Sequence, residues 1–236
     1  MTEIAEKLVN ARFLRESKNR FLCEVEIDGS LVECYVPSSC RLDNFLELEG
    51  KTVLLRRNAS PSVRTQYALV AVPYKHSYLL LNSSFANDII EEGIRGRRFC
   101  FLGKRTKIYK EYHIEGYKAD LFIMNSNTIV EIKSVISTSK TAVFPTVHSE
   151  RAIKQLNAIK KLLQMGYKAC YIIVSLNPYV NEIALDTNSA LFERFAECRA
   201  LGMTARGLAC RLKENKISIC KTISLIEEAG KLRAKT

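Results

Sequence analysis

Residues 118–133 read Lys-Ala-Asp-Leu-Phe-Ile-Met-Asn-Ser-Asn-Thr-Ile-Val-Glu-Ile-Lys, two apolar strands around the turn residues Asn125, Ser126 and Asn127. Alternate residues of a strand share a face, so Glu131 and Lys133 project together while Val130 and Ile132 face the other way. With Asn125 and Ser126 as a two-residue loop, Asp120 falls opposite Glu131, with Cβ atoms about 5 Å apart. Two carboxylates that near repel when both are ionised, and a divalent cation relieves the repulsion. Mg²⁺, or Mn²⁺ in its place, takes one or two carboxylates together with water and phosphate oxygens. Such an ion polarises a phosphate and lowers the pKa of bound water, and a neighbouring lysine can orient that water or stabilise charge developing on phosphorus. Asp120 and Glu131 are therefore candidate catalytic metal ligands and Lys133 a candidate catalytic ammonium. Glu111, on the preceding strand, is a candidate further ligand. A surface hairpin carrying an ion pair from Lys133 to either acid accounts for the same pattern, and the residues alone leave both readings open. Glu-x-Lys itself is weak, since it occurs at Glu16, Glu49, Glu131 and Glu214; only the copy at Glu131 lies in an apolar strand with an aspartate at hairpin distance.

The elements that must hold these groups can be read on either side. A helix is predicted over 150–165, with Ser149 as N-cap, Ile153, Leu156, Ile159 and Leu163 as its apolar stripe, and Gly166 as its stop. Arg151, Lys154 and Gln155 lie off that stripe and are candidate nucleic-acid contacts. Strands are predicted at 107–113, 117–124, 128–134 and 168–175. A second helix follows at about 187–201, then strands near 204–212 and 216–220 and a short C-terminal helix. Upstream, a helix from Phe85 to Gly93 leads into Arg95, Arg97 and Arg98, a basic connector and a further candidate contact with nucleic acid. His148 could shuttle a proton, although a lone histidine before a helix is more often structural.

The first 82 residues read differently. Alternating strands at 20–27 and 31–36 meet at an Asp28-Gly29 hairpin signal, and shorter ones follow at 52–56, 67–72 and 78–81. Strands at this spacing suggest a small barrel, and a five-stranded OB-like barrel fits the length. Phe13, Phe21, Tyr35 and Tyr67 could stack on bases, though such aromatics are more often core. The expected division is thus an OB-like β-barrel at 1–82 and an α/β (α+β) mixed-sheet domain at 83–236 with the connector at its start.

Charge agrees with that division. The 236 residues carry 36 Lys+Arg against 25 Asp+Glu, a net +11. Residues 1–82 hold 11 and 10 of these, leaving 25 and 15 for residues 83–236. A basic rear half concentrates polyanions near it. None of the eight cysteines forms a Cys-x-x-Cys pair, which speaks against a zinc ribbon, and they are expected as reduced thiols. No signal-peptide core or membrane-length apolar run is present, so a cytoplasmic protein with no membrane partner is expected. No Walker A, GxGxxG, HExxH or Gly-x-Ser-x-Gly pattern occurs, which disfavours nucleotide hydrolases, dinucleotide oxidoreductases, zincins and α/β-hydrolases.

Several segments in order carry a family resemblance: Ala11-Arg12-Phe13 with Arg20-Phe21, Val36-Pro37-Ser38, Gly50-Lys51-Thr52-Val53, Phe85-Ala86-Asn87, Ala119-Asp120-Leu121, Val130-Glu131-Ile132-Lys133-Ser134-Val135, Phe144-Pro145 and Ser149-Glu150-Arg151 with Lys154. Across nearly its whole length the chain resembles the sugar fermentation stimulation protein A family. The resemblance implies an N-terminal OB-like domain followed by a domain similar to PD-(D/E)xK nucleases, with Asp120, Glu131 and Lys133 on the nuclease core. It implies non-specific binding of DNA, with RNA as a second option, and a regulatory role in sugar metabolism. The chain departs from the family pattern at Ser38-Ser39-Cys40 after Pro37, at Thr146 after Phe-Pro, and at Gln155 after Lys154. Two functions follow from these residues: a Mg²⁺-dependent nuclease, or a DNA-binding regulator without turnover. A homodimer is one option for assembly.

Overall fold

The computed structural model describes residues 2–3, 8–37, 41–44, 46–58 and 64–228. After a short strand β1 (Thr2–Glu3), six strands follow: β2 (Val9–Glu16), β3 (Leu22–Ile27), β4 (Ser30–Tyr35), β5 (Thr52–Arg57), β6 (Tyr67–Tyr74) and β7 (Ser77–Leu80). Their order in the sheet is β4-β3-β2-β5-β6-β7, and a parallel pairing of Cys34 with Tyr67 and Tyr35 with Ala68 joins β4 to β6. That contact closes β2 to β6 into a five-stranded barrel, which removes the open edges. A single 3-2-1-4-5 path with strands three and five parallel is the OB arrangement. Strand β2 lies outside the strands expected from the sequence, because its Arg12, Arg15 and Glu16 interrupt the apolar pattern with charge.

The interior of the barrel is one cluster that includes Phe13, Val25, Val53, Leu55, Leu69 and Leu79. Cys23 and Cys34 face each other across β3 and β4 as buried free thiols. Phe13 belongs to this core and Tyr67 packs against it, whereas Phe21 and Tyr35 stay exposed.

The rest of the chain forms α1 (Phe85–Gly93), β8 (Ile108–Ile114), β9 (Tyr117–Ile123), β10 (Thr128–Val135), β11 (Thr141–Phe144), α2 (Glu150–Gln164), β12 (Lys168–Ser175), β13 (Glu182–Asp186), α3 (Ala190–Ala200), β14 (Thr204–Lys213) and β15 (Lys216–Glu228). These strands make a mixed sheet in the order β11-β13-β15-β14-β12-β10-β9-β8, with β1 also paired to β15. The predicted short C-terminal helix is absent from the described residues. Strand β15 instead runs thirteen residues, because its far half pairs in parallel with β13 after its near half has paired antiparallel with β14. Strands β11 and β13, of four and five residues, are too short to show a period in sequence and lie outside the strands expected from it.

Each face of this sheet buries a separate core. Leu121, Ile123, Val130, Ile132 and Ile172 pack with α1, with Phe99, and with Leu54, Val70, Ala71 and Leu80 of the barrel strands. Ile129, Val135, Tyr171 and Ile173 pack on the other face with α2 and α3. Helix α2 spans the crossover between the parallel strands β10 and β12. Ser149 caps it by accepting from the Ala152 N–H at 3.2 Å. Leu156, Ile159 and Leu162 are buried, and Gly166, at φ 92°, ends the helix in the left-handed region.

Close approach of two strands sets a further limit at Gly207 on β14, where a Cβ would meet the Ile223 carbonyl oxygen at 2.7 Å and a Leu225 methyl at 3.0 Å. Backbone cannot step aside as a side-chain end can. The substitution Gly207→Ala is therefore expected to destabilise the protein by about 1–3 kcal/mol, read as a lowered denaturation midpoint at unchanged m-value.

Candidate functional site

The turn between β9 and β10 sets the geometry. Residues 123 and 128, 122 and 129, and 121 and 130 pair antiparallel, which is the register expected from the sequence. The loop itself is a short 3₁₀ turn, Met124–Ser126, closed by Asn127 in the left-handed region, rather than a two-residue turn. Pairing stops at Leu121 and Val130. Beyond that point Asp120 Oδ2 accepts the Ile132 N–H at 2.7 Å. The carboxylate takes the donor that a continuing ladder would have used, so β9 and β10 part without leaving a buried amide unpaired.

Strand β8 turns at the same level. Tyr109 pairs with Phe122 and Tyr112 with Ala119, yet Tyr112, Ala119 and Phe122 all join the core on the α2 face. Both strands change face between these pairs, and Glu111 at φ 46° marks the change. The result brings Tyr117 to the same face as Glu131.

Glu131 is 1% exposed. Its Oε2 accepts the Tyr117 hydroxyl, and its Oε1 receives Lys133 Nζ at 2.5 Å. Lys133 Nζ also donates to Gln155 Oε1 at 2.8 Å, which ties the strand to α2. Burial pushes the Glu131 carboxyl above the ordinary carboxylate range; the Lys133 ammonium pulls it back, and the nearby Asp120 charge adds to the rise. Burial, and then the Glu131 charge, raise the Tyr117 phenol, so it remains a donor.

Glu131, Lys133 and Gln155 are thus linked by hydrogen bonds, and Asp120 reaches the same stretch of β10 through the Ile132 amide. Arg151 and Lys154 are exposed on α2. Arg151 is one turn before Gln155 and three residues before Lys154, so Arg151 neighbours both on the helix surface. Glu111 is not brought in. Its side chain is 74% exposed and pairs with Lys118 at 2.9 Å, because the left-handed backbone at Glu111 swings it outward. His148 forms an exposed pair with Glu150 at 2.7 Å.

Tyr117 and Tyr171 escaped the sequence reading. Tyr117 was hidden by the change of face on β9. Tyr171 lies beside Glu131 only because β10 and β12 run parallel in that register, which no local pattern announces. Both tyrosines stood in runs that read as core.

Two family models match the chain: "SfsA N-terminal OB domain" over residues 16–81 and "Sugar fermentation stimulation protein RE domain" over residues 84–216. The chain belongs to the sugar fermentation stimulation protein family. A homologue from Pelagibacter ubique is 24% identical over 231 residues, covering 95% of this chain and 99% of its own. One from Clostridium perfringens strain 13 is 27% identical over 225 residues, covering 92% and 96%. A solved structure, Pyrococcus furiosus SfsA in complex with Ca²⁺, superposes with a TM-score of 0.81 at 19% identity over 95% of this chain and 99% of that one, which is a likeness of fold.

In this family member the connector arginines are far from the acids by topology. Ile94 and Phe99, which flank Arg95, Arg97 and Arg98, pack on the α1 face of the sheet, and Arg98 Nη1 donates to Thr222 Oγ1 at 3.3 Å. Glu131 leaves the sheet on the opposite face, since Val130 and Ile132 occupy the α1 side. Seven of the eight cysteines are free thiols; Cys40, like Ser38 and Ser39, lies outside the described residues. No helix among the described residues is long and apolar enough to cross a membrane.

The raised Glu131 carboxyl has a consequence for stability. A folded-state pKa above the unfolded value contributes stability below the ordinary carboxylate range, and that contribution is lost as pH rises through the raised value. Glu131→Gln keeps an acceptor for Lys133 without the buried charge. It is expected to melt at or above the wild-type temperature at pH 8, with the difference closing as pH falls below about 4; thermal melts across that range check this.

Proposed function

We propose that this protein is a divalent-cation-dependent nuclease acting on DNA. The observation that carries the reading is the meeting of Asp120, buried Glu131 and Lys133 where β9 and β10 part. The residues fit a hard cation. Only Oδ2 of Asp120 accepts a hydrogen bond among the described residues, Glu131 is a buried acid whose ionised form needs positive charge beside it, and Mg²⁺ requires no more than one or two carboxylates. A calcium complex of the Pyrococcus furiosus relative supports an oxygen-donor cation site of this kind. Asp120 and Glu131 would hold Mg²⁺ or Mn²⁺, which would polarise the phosphate and lower the pKa of bound water.

The chain's own groups do the rest. An ammonium has three protons, and Lys133 spends two of them on Glu131 and Gln155. The third is left for a phosphate oxygen or for the attacking water. Gln155 fixes the ammonium in place so that this donor is oriented before substrate arrives. Arg151 and Lys154 border the same edge and hold the flanking phosphates, which positions the backbone without reading its sequence. Non-specific binding of DNA, or of RNA, follows from that.

A second reading, a DNA-binding regulator of sugar metabolism without turnover, is favoured by one observation. Among the described residues no group of three or more His, Cys, Asp or Glu side chains could hold a metal ion, and both Glu131 oxygens are already engaged. The two readings diverge in a cleavage assay on labelled single- and double-stranded DNA with Mg²⁺ or Mn²⁺. The nuclease cuts, and Asp120→Ala and Lys133→Ala each lose roughly a hundredfold or more in rate. The regulator binds the same DNA and leaves it intact at every metal concentration. In either case each of Arg151→Ala and Lys154→Ala is expected to reduce the slope of log affinity against log salt by about 1, measured by fluorescence anisotropy.

A further inference from the structure

Tyr171 stands beside Glu131 in the parallel register of β10 and β12, so the two side chains leave the sheet on one face. Its ring is held edge-on by Phe195 at 5.5 Å and by Phe144 at 6.4 Å. It is fully buried, and its hydroxyl is the one buried side-chain polar atom among the described residues with no hydrogen-bond partner. A phenylalanine would fill the same space without stranding a hydroxyl, so the extra oxygen is a standing cost unless something pairs with it.

Its partner is not Glu131 as the site stands, since Tyr117 and Lys133 take the two carboxylate oxygens. It nevertheless shares a face with Glu131 on the neighbouring strand. Burial first, then the Glu131 and Asp120 charges, hold its phenol well above the ordinary tyrosine range, so it stays protonated and able to donate. The Tyr117 phenol feels Tyr171 as well. Two phenols thus flank one acid, one with its hydroxyl engaged and the other with its hydroxyl unpaired by any protein group. A group with no protein partner, buried beside the Glu131 carboxylate, is placed to meet a water molecule that arrives with an ion.

We propose that Tyr171 is a positioning residue of the cation site, its hydroxyl pairing with water that a divalent cation carries between Asp120 and Glu131. This rests on the cation-dependent reading above. It extends the site to a third strand, β12, and assigns a role to a side chain that touches neither substrate nor the ion itself.

Tyr171→Phe removes the hydroxyl and keeps the ring. Calorimetric titration with Ca²⁺ and thermal melts in EDTA and in excess Ca²⁺ separate the outcomes, and neither depends on turnover. The variant is expected to melt at or above the wild-type temperature in EDTA, to bind Ca²⁺ about tenfold more weakly, and to gain less from Ca²⁺ in its melting temperature. Wild-type Ca²⁺ affinity in Tyr171→Phe overturns the proposal and leaves the cation site standing. Wild-type protein that takes up no Ca²⁺, or takes it up equally after Asp120→Ala, overturns the cation reading and this proposal with it. A measurement on the wild type alone adds a further test. The chain has ten tyrosines and no tryptophan, so Tb³⁺ luminescence excited through the protein reports tyrosine beside the ion. Bound Tb³⁺ without sensitised emission overturns the proposal even if Tyr171→Phe does not fold.

Discussion

The structure around the site depends on one hydrogen bond, from the Ile132 amide to Asp120 Oδ2. Two antiparallel strands cannot separate inside a protein unless the amides they abandon find new partners. Here the acid that leaves the ladder supplies the partner. The same contact that permits β9 and β10 to part fixes Asp120 at the gap, next to Glu131. It also lets β8 and β9 turn over together, which carries Tyr117 onto the face of Glu131 and Glu111 away from it. A regular ladder through this point would not bring the Tyr117 phenol beside the acid.

Glu131 shows what this arrangement costs. A carboxylate 1% exposed gives up its hydration, and its raised pKa records that loss even with an ammonium at 2.5 Å. Lys133 is itself one-fifth exposed, so its charge is shared with solvent and does not fully offset the burial of its partner. Glutamine would sit there more cheaply at neutral pH. A site that keeps the acid, with donors from Tyr117 and Lys133 arranged around it, is held away from its most stable form, which is the pattern of functional positions.

Much of this was legible in the sequence, and the rest was hidden for physical reasons. The register of β9 on β10 followed from turn residues and strand alternation, even though the loop is a 3₁₀ turn of different length and pairing stops at Leu121 and Val130, one step short of Asp120 and Glu131. Helix α2 was announced by Ser149, its apolar spacing and Gly166. Closure of the barrel was foreshadowed only by strand size and spacing, since the β4–β6 pairing joins segments far apart in the chain. The extension of β15 was misread because its second half is half-exposed and shows no clean period of two. Glu111 was misassigned for a local reason: regular alternation puts it opposite Asp120, and a single left-handed residue cancels that alternation. Tyr171 depended on a parallel pairing across a helix, and such registers are set by the packing of α2 rather than by any neighbouring residue.

The uneven charge of the chain takes on a different meaning once the sheet is in place. In sequence, the basic connector and the basic start of α2 look like parts of one surface. The sheet separates them: Arg95, Arg97 and Arg98 belong to the α1 side, Arg151 and Lys154 to the α2 side. Charges on the far side act on a polyanion only through the long-range field, which falls off over roughly 10 Å at moderate salt. Charges on the α2 side can touch a phosphate while it lies over the acids. The net +11 therefore divides into a share that gathers polyanions and a share that positions them, and only the second is tied to the geometry that Asp120 creates.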